Sequence, residues 1–376
     1  MGTQIYADHA ATTQLAPEAF EAMKPFLMNE YGNVSQLYSF AREPKKAVKE
    51  AREIIASCIG ALPEEIFFTS GGTESDNWAI KGCALSGGRE DVIITSSIEH
   101  HAILRSCAAV ERIGYPVAYL PVDHSGTVLP AKLSKYITDR TRLVSIMLAN
   151  NEIGTIQPIE ELSEIAHQHG AIFHTDATQA VGHIPVDVNK QDIDMLSASA
   201  HKFNGPKGIG FLYIRKGIKI SPLLDGGSQE QGLRAGTENV ASIVGMAVAL
   251  KLSCEAMRER AEHLHKLEWL LLQKLTENKL DYRYNGGKSH LPGLLSLSFK
   301  GADGEALLHR LDLMGISVST GSACNSKSTE LSHVLRAIDV PEEYAFGTIR
   351  VSFGYENTED DVERIAAALK KIINGK

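Results

Sequence analysis

Short apolar runs alternate with longer amphipathic stretches over the first two-thirds of the chain, and this alternation constrains the fold more than any other feature. It is typical of parallel strands joined by crossover helices. Several runs are apolar without alternation, as expected for strands that helices cover on both faces. We therefore predict an α/β fold. The predicted strands are 65–69, 91–95, 117–120, 143–148, 171–175, 195–199 and 209–214, and the clearest predicted helices are 47–59, 101–112 and 159–169.

A long helical stretch over 239–277 ends the alternation, and a turn-rich cluster follows it at 285–288. The remainder mixes strands and helices, which indicates a small α+β domain. Its predicted elements are strands 294–299 and 348–353 and helices 304–314, 330–337 and 359–373. We place the domain boundary near residue 260. The predicted large domain spans 16–260, and the predicted small domain combines 1–15 with 261–376.

Composition excludes several classes of protein. The 376 residues include 38 Lys and Arg against 46 Asp and Glu, a net charge of −8, so we expect no direct nucleic-acid partner. The cysteines form no Cys-x-x-Cys pair and no histidine lies at zinc-ligand spacing, so we expect neither a disulfide framework nor a metal site. No stretch reaches the ~18 apolar residues of a membrane span, and the N-terminus does not resemble a signal peptide. We expect a soluble, cytoplasmic chain.

The segment 69–75, Thr-Ser-Gly-Gly-Thr-Glu-Ser, links the first long strand to a helix. Its glycines, Gly72 among them, allow backbone N–H groups to converge on an anion at the helix N-terminus. Thr73 can cap this helix and offer its hydroxyl to the same anion. The spacing matches neither a dinucleotide fingerprint nor a Walker loop. An ordinary capped turn is the alternative interpretation of these residues.

Two further strands deliver charged side chains to the same edge of the predicted sheet. Asp176 follows 171–175 with Gln179 one helical turn further, and Lys202 follows 195–199. Ligands bind beyond the carboxyl ends of strands in such sheets. There Asp176 can pair with a protonated ring nitrogen and Lys202 can form a Schiff base, although Asp also caps turns and most lysines are solvated surface charges. Together with an anion site, these are the parts that hold pyridoxal 5'-phosphate.

At this point the sequence resembles the NifS/IscS-type cysteine desulfurases of the class V aminotransferase family. The resemblance rests on motifs at 6–13, 69–77, 97–100, 150–154, 176–179, 199–202, 234–239, 321–324 and 349–354. It implies an aspartate aminotransferase-like fold (fold type I), with a mostly parallel seven-stranded sheet in the large domain and a small α+β domain beside it.

The resemblance also implies roles for the matching residues. Lys202 would form the Schiff base, Asp176 would keep the ring nitrogen protonated, and His100 would stack on the ring and exchange protons with substrate. Without the resemblance, His100 would be interpreted as a helix cap. The other implied cofactor ligands are Gly72, Thr73, Asn151, Gln179, Ser199, His201 and Thr237. In such enzymes the matching threonine reaches the phosphate from the second subunit, so a homodimer is implied.

Two further residues would act on the substrate. Alternation alone places Arg350 toward solvent, but the matching family arginine clamps an amino-acid carboxylate, and Asn151 would lie near that carboxylate. Cys324 lies in a loop of small residues, and its thiol, with a pKa of about 8.5, needs activation to become a nucleophile. The remaining cysteines fit apolar helix patterns and are interpreted as packing residues. They are Cys58, Cys83, Cys107 and Cys254.

The implied reaction converts L-cysteine to L-alanine and leaves the sulfur as a persulfide on Cys324. A protein acceptor would then take the sulfur, either an iron–sulfur scaffold or a tRNA thiolation enzyme. Two alternatives stay open. Another pyridoxal phosphate enzyme, such as an aminotransferase or a selenocysteine lyase, would share Lys202 and Asp176. A sulfur-carrier or scaffold-binding protein would retain the fold without catalysis.

Overall fold

A mixed seven-stranded sheet organises the larger part of the chain in the computed structural model, which describes residues 4–320 and 331–375. The strands are β1 (Ile5–Tyr6), β2 (Ile66–Thr69), β3 (Val92–Ser96), β4 (Val117–Leu120), β5 (Thr141–Ser145), β6 (Ile172–Asp176), β7 (Met195–Ser199), β8 (Gly210–Ile214), β9 (Tyr282–Asn285), β10 (Leu294–Phe299), β11 (Ile316–Ser317) and β12 (Thr348–Ser352). The large sheet has the order β2-β8-β7-β6-β5-β3-β4, and only β8 runs antiparallel to its neighbours. The predicted mostly parallel sheet is confirmed.

Helices cover this sheet and also form much of the rest of the chain. They are α1 (Pro17–Met28), α2 (Arg42–Ile59), α3 (Gly72–Ser86), α4 (His101–Glu111), α5 (Pro130–Tyr136), α6 (Ile159–Gln168), α7 (Val240–Glu255), α8 (Met257–Glu277), α9 (Gly304–Asp312), α10 (His333–Ala337), α11 (Glu342–Ala345) and α12 (Glu359–Asn374). The prediction omitted α1, which packs against α7.

The predicted helical stretch over 239–277 is two helices that meet at an angle of 69°. The side-chain pattern also differs on the two sides of Ala256, which lies between the helices. Helix α7 is apolar on most of its surface because α1 and α2 pack against it. Helix α8 is amphipathic and buries a leucine stripe that includes Leu267 and Leu271. Among the described residues no single helix is long and apolar enough to cross a membrane; α7 and α8 reach that length and composition only when taken together.

A three-stranded antiparallel sheet, in the order β12-β10-β9, forms the centre of the smaller part of the chain. Its hydrophobic cluster extends from Leu264 to Ile372 and includes Ile5 and Ala7 from the start of the chain. The short strands β1 and β11 pair in parallel and attach the N-terminal segment to this part. The division into 16–260 and 1–15 with 261–376 stays a prediction, as does the cytoplasmic location.

Strand directions decide where functional side chains gather. Strand β2 is antiparallel to β8, and β8 is antiparallel to β7, so β2 and β7 run in the same direction. The last residues of β2, β6 and β7 therefore lie at one edge of the sheet. These residues are Thr69, Asp176 and Ser199.

Candidate active site

A cavity of about 650 Å³ lies at this edge of the large sheet. Its walls bring together most of the residues that the sequence singled out. They are Gly72, Thr73, His100, Asn151, Asp176, Gln179, Ser199, His201, Lys202 and Arg350. The structure therefore places residues from sequence positions 72 to 350 around one space that is large enough for a small-molecule ligand.

Asp176 ends β6 at the wall of the cavity and is only 4% exposed. Its Oδ1 accepts a 2.9 Å hydrogen bond from the backbone N–H of Thr178, so this carboxylate does cap the following turn. The capping and ligand interpretations are compatible, because the same side chain lines the cavity. A buried carboxylate is stable only with a compensating partner, which makes Asp176 a strong acceptor for a cationic N–H group.

Lys202 follows β7 through a single 3₁₀ turn, and its side chain lies at the cavity wall. Its Nζ donates hydrogen bonds to the carbonyl oxygens of Ala10 (2.6 Å) and Ala11 (2.9 Å). The carbonyl of Ala10 also accepts from Gln179 Nε2 at 2.9 Å. The N-terminal segment thus orients both side chains, and Lys202 is not the freely solvated surface lysine of the alternative interpretation.

Helix α3 presents its N-terminus to the cavity without a capping side chain from the described residues. Gly71 is the N-cap residue with φ of 146°, so the expectation that Thr73 caps this helix is wrong. A Cβ on Gly72 would lie 2.8 Å from Thr178 Oγ1, so a larger residue there would have to displace this hydroxyl. That hydroxyl is buried and has no hydrogen-bond partner among the described residues. The uncapped N–H groups and this hydroxyl form a site that suits an anion.

His100 is the N-cap of α4 and also lines the cavity. Its Nδ1 accepts a 3.1 Å hydrogen bond from the backbone N–H of Ala102, which leaves Nε2 to carry the proton in the neutral ring. Burial lowers the pKa of His100, and the positive charge of Lys202 lowers it further while Asp176 opposes the change. The ring is therefore neutral near pH 7 and presents an N–H donor.

His201 borders the cavity beside Lys202 and bonds through Nδ1 to Thr12 Oγ1 at 3.1 Å. Burial and the nearby charges of Lys202 and Lys207 lower the pKa of His201 to about 4. Because the imidazole of His201 is neutral, the positive charge at this position belongs to Lys202.

Asp76 is a buried carboxyl that sequence reasoning missed. It lies one turn into α3, and one of its oxygens lies within 4.8 Å of an oxygen of Asp176 and a ring nitrogen of His100. Its Oδ1 has no hydrogen-bond partner among the described residues. Burial, reinforced by the charge of Asp176, raises the pKa of Asp76 well above its usual value. The sequence did contain a signal for Asp76, because it is an acidic residue on the buried face of α3, the helix whose N-terminus forms the anion site.

Arg350 lies in β12, and the expectation of a solvent-facing side chain is wrong because every residue of this strand is buried. The residue is 6% exposed. Its Nη1 donates to the carbonyl oxygen of Asn151 at 2.8 Å, and its Nη2 donates to Asp8 Oδ1 at 2.7 Å. Its Nε is buried without an acceptor among the described residues. A ligand carboxylate would satisfy this donor.

Two predicted residues lie elsewhere. Thr237 lines a separate cavity of about 170 Å³ with Ser70 and Gly208, two residues that also border the larger cavity. Cys324 lies outside the described residues. The packing interpretation fits Cys83, whose thiol pKa burial raises to about 12.

Comparison with known proteins identifies this arrangement. The family model of class-V aminotransferases matches residues 5–365. The chain belongs to the class-V aminotransferase family. A cysteine desulfurase IscS from Dictyoglomus turgidum is 51% identical to it over 375 residues, which cover 99% of this chain and 95% of the relative.

Two solved structures agree with this class-V assignment. A NifS-like protein with 39% identity superposes with a TM-score of 0.94 and covers both chains completely. A structure described as SspA in complex with cysteine has 37% identity and a TM-score of 0.83, and the match covers 95% of this chain and all of that one. Within the class-V family the chain is of the NifS/IscS type, so the resemblance and the fold-type I architecture are confirmed.

Proposed function

We propose that this class-V protein is a pyridoxal phosphate-dependent cysteine desulfurase, which converts L-cysteine to L-alanine and takes up the sulfur on Cys324. One observation carries the proposal: the amine of Lys202, the carboxylate of Asp176 and the guanidinium of Arg350 border the same cavity. The names of the related IscS proteins support the reaction, and the SspA structure with cysteine supports the substrate.

The described residues fit pyridoxal phosphate at three points. The uncapped start of α3 and the unpartnered hydroxyl of Thr178 suit a phosphate. The buried carboxylate of Asp176 suits a protonated ring nitrogen. The amine of Lys202 suits the aldehyde. When bound, the cofactor supplies an electron sink for bonds at the α-carbon of an amino acid.

Each side chain then has a defined task. Arg350 binds the substrate carboxylate through its unpartnered Nε–H, and its bond to the Asn151 carbonyl sets the orientation of the guanidinium. Lys202 accepts and returns a proton at the substrate carbon while the carbonyls of Ala10 and Ala11 hold its Nζ. His100 donates from Nε2, since Nδ1 is used by the helix cap.

Cys324 is proposed as the sulfur acceptor within the protein. Its thiolate attacks the substrate sulfur, so a sulfur–sulfur bond forms as the substrate carbon–sulfur bond breaks, and the released electron pair stays on the substrate carbon. Protonation of that carbon completes L-alanine. The balance needs no external oxidant, because the two electrons that the two sulfur atoms give up on forming their bond are gained by the substrate carbon as its bond to sulfur breaks.

A second copy of the chain is part of the proposal. Large apolar side chains are exposed along α1 and the segment after it, with Leu37 at 96%. The others in this region are Phe20, Leu27, Met28, Tyr31, Tyr38 and Phe40. An apolar patch of this kind favours an interface between copies. Thr237 borders a separate cavity of its own chain, and its assignment to the cavity of the partner rests on the resemblance. A mass measurement by light scattering tests the dimer, with Leu37→Asp expected to shift it toward monomer.

A protein acceptor, either an iron–sulfur scaffold or a tRNA thiolation enzyme, is proposed to take the sulfur from Cys324. Affinity capture of the persulfide form and mass identification of the trapped protein discriminate between these two. Recovery of free sulfide with no trapped acceptor would contradict delivery to a protein.

The purified protein provides the test of the activity itself. We expect visible absorbance from the bound cofactor and formation of L-alanine from L-cysteine, both lost in Lys202→Ala and both kept in Lys219→Ala. Lys219 is an exposed lysine away from the cavity. A colourless protein that binds no pyridoxal phosphate would favour the non-catalytic carrier. A coloured protein that forms another product from L-cysteine would favour a different specificity.

A further inference from the structure

Three metal-ligating side chains meet in the smaller part of the chain, apart from the active-site cavity. His265 and Glu268 lie one turn apart on α8, and His290 lies in the segment between β9 and β10. One nitrogen of each histidine and one oxygen of Glu268 all lie within 4.8 Å of one another. The two histidines are separated by 25 positions in the sequence, so spacing alone does not reveal the group.

Distances within the group are close to those that a metal ion needs. His265 Nδ1 lies 2.8 Å from Glu268 Oε2, and His290 Nε2 lies 3.3 Å from Glu268 Oε1. Ligand atoms bound about 2.1 Å from a tetrahedral Zn²⁺ lie about 3.4 Å from each other. Measured to the same oxygen, Glu268 Oε2, His290 Nε2 lies at 3.4 Å, which already matches this spacing. The shorter contact of His265 would have to open by about 0.6 Å, and the two ring nitrogens lie within 4.8 Å of each other.

The charge of Glu268 is buried, which is costly without compensation. Its side chain is 6% exposed, and its Oε1 also accepts from the backbone N–H of Gly293 at 2.7 Å. The rings of His265 and His290 face this carboxylate, with nitrogens 2.8 Å and 3.3 Å from its oxygens. A divalent cation bound among these three side chains would supply the positive charge that the buried carboxylate needs.

A neighbouring tyrosine gives an independent indication of a missing polar partner. The hydroxyl of Tyr284 is buried and has no hydrogen-bond partner among the described residues. Its ring packs edge-on against His290, with 5.8 Å between ring centroids, and the charge of Glu268 acts on its hydroxyl. A water molecule on a metal ion bound by His290 and Glu268 would give this hydroxyl an acceptor or donor.

We propose that His265, Glu268 and His290 bind one divalent transition-metal ion of the Zn²⁺ type, with the fourth position open to water. Two imidazoles and one carboxylate are a ligand set that zinc and its neighbours accept. The proposal departs from the expectation of no metal site, which considered only cysteine pairs and short histidine spacings.

The position of the site gives the ion a structural role. The segment that carries His290 is bonded to the loop at 150–156: Leu291 N donates to Gly154 O at 2.9 Å, and Ile156 N donates to Ser289 O at 3.0 Å. The same loop contains Asn151, whose carbonyl holds Arg350. A bound ion would hold α8 against the segment that carries His290 and so stabilise the contact of this segment with the loop at 150–156. The three proposed ligands are not among the residues proposed to contact substrate.

Equilibrium dialysis of the cofactor-loaded, dimeric protein against Zn²⁺, followed by metal analysis, tests the site. The thiols are first alkylated so that cysteines do not bind the ion. We expect one equivalent per chain, and at least a tenfold loss of affinity in His265→Gln and in His290→Gln. Co²⁺ in place of Zn²⁺ should show the visible absorption of a tetrahedral site in the unchanged protein and lose it in both variants.

His309→Gln is the matched control, because His309 is an exposed histidine on α9 and should leave zinc binding unchanged. His265 is half-exposed at the surface of α8, and glutamine can still donate a hydrogen bond to Glu268, so this substitution removes a metal ligand without removing a core side chain. Equal affinity for Zn²⁺ in the unchanged protein and His265→Gln would overturn the proposal, as would the absence of bound metal at micromolar Zn²⁺.

Discussion

Arg350 Nη1 donates a 2.8 Å hydrogen bond to the backbone carbonyl of Asn151, which joins the two parts of the chain at the edge of the cavity. Arg350 belongs to β12 in the smaller sheet, whereas Asn151 follows β5 of the large sheet. Asp8 from the N-terminal segment binds the same guanidinium at Nη2. The arginine that we propose to bind substrate is thus positioned by two segments that are distant in sequence.

Replacing this arginine by lysine should weaken substrate binding. Lysine keeps the charge but loses the planar fork and the free Nε–H donor. Hydrogen bonds to charged groups contribute about 1.5–3 kcal/mol, so Arg350→Lys should raise KM for L-cysteine roughly 10- to 150-fold. Steady-state alanine formation measures this change. Arg283→Lys, an exposed position on β9, is the control, and an unchanged KM in Arg350→Lys would show that Arg350 does not bind the carboxylate.

A methyl group on Gly72 should reduce affinity for pyridoxal phosphate. The added Cβ would lie 2.8 Å from Thr178 Oγ1 at the start of α3, where the phosphate is proposed to bind. Loss of one hydrogen bond to a charged group corresponds to roughly 10- to 150-fold weaker binding in Gly72→Ala. Cofactor titration followed by absorbance measures it. Gly88→Ala adds a Cβ with only ordinary contacts and should bind the cofactor as the unchanged protein does, and equal affinity in Gly72→Ala would contradict the phosphate assignment.

The buried carboxyl of Glu99 should make the free energy of unfolding depend on pH. Burial is the main cause that raises the pKa of Glu99 to about 8, against the usual 4.5. The folded state therefore holds a proton that the unfolded chain releases. This contribution to the free energy of unfolding is fully present below about pH 4.5 and is lost as pH rises to about 8.

Glu99→Gln should remove this component, so the variant should gain stability relative to the unchanged protein as pH increases across that window. Denaturant unfolding at a series of pH values measures the difference. Glu64→Gln, an exposed position, should give a difference that does not vary with pH. A constant difference for Glu99→Gln would mean that Glu99 is ionised in the folded protein throughout the range.

Sequence patterns predicted the elements whose boundaries depend on local chemistry. Strands β4, β7 and β10 match the predicted ranges to the residue, because each run of strand-forming residues changes to turn or helix residues at both ends. Asp176 and Lys202 could be singled out because ligands bind beyond the carboxyl ends of strands in such sheets, and both residues do line the cavity. His100 illustrates a residue with two functions, since it caps α4 and borders the cavity.

Long-range contacts were not accessible to the same reasoning. The partner of Arg350, Asp8, lies 342 positions away, and strand alternation gave the wrong orientation because it contains no information on what covers β12. Asp76 was missed because one acidic residue in a helix is ordinary until the helix is placed beside Asp176. The group of His265, Glu268 and His290 exists only because α8 packs next to the segment before β10.

The sulfur transfer to Cys324 is the central claim, and mass analysis of that residue tests it most directly. The cofactor-loaded protein is incubated with one equivalent of L-cysteine without reductant, and the peptide containing Cys324 is then analysed together with the L-alanine produced. The proposal predicts one added sulfur atom on Cys324 for each L-alanine, and no L-alanine from Cys324→Ala, which should keep the visible absorbance of the bound cofactor. Equal amounts of L-alanine from Cys324→Ala and the unchanged protein would contradict it.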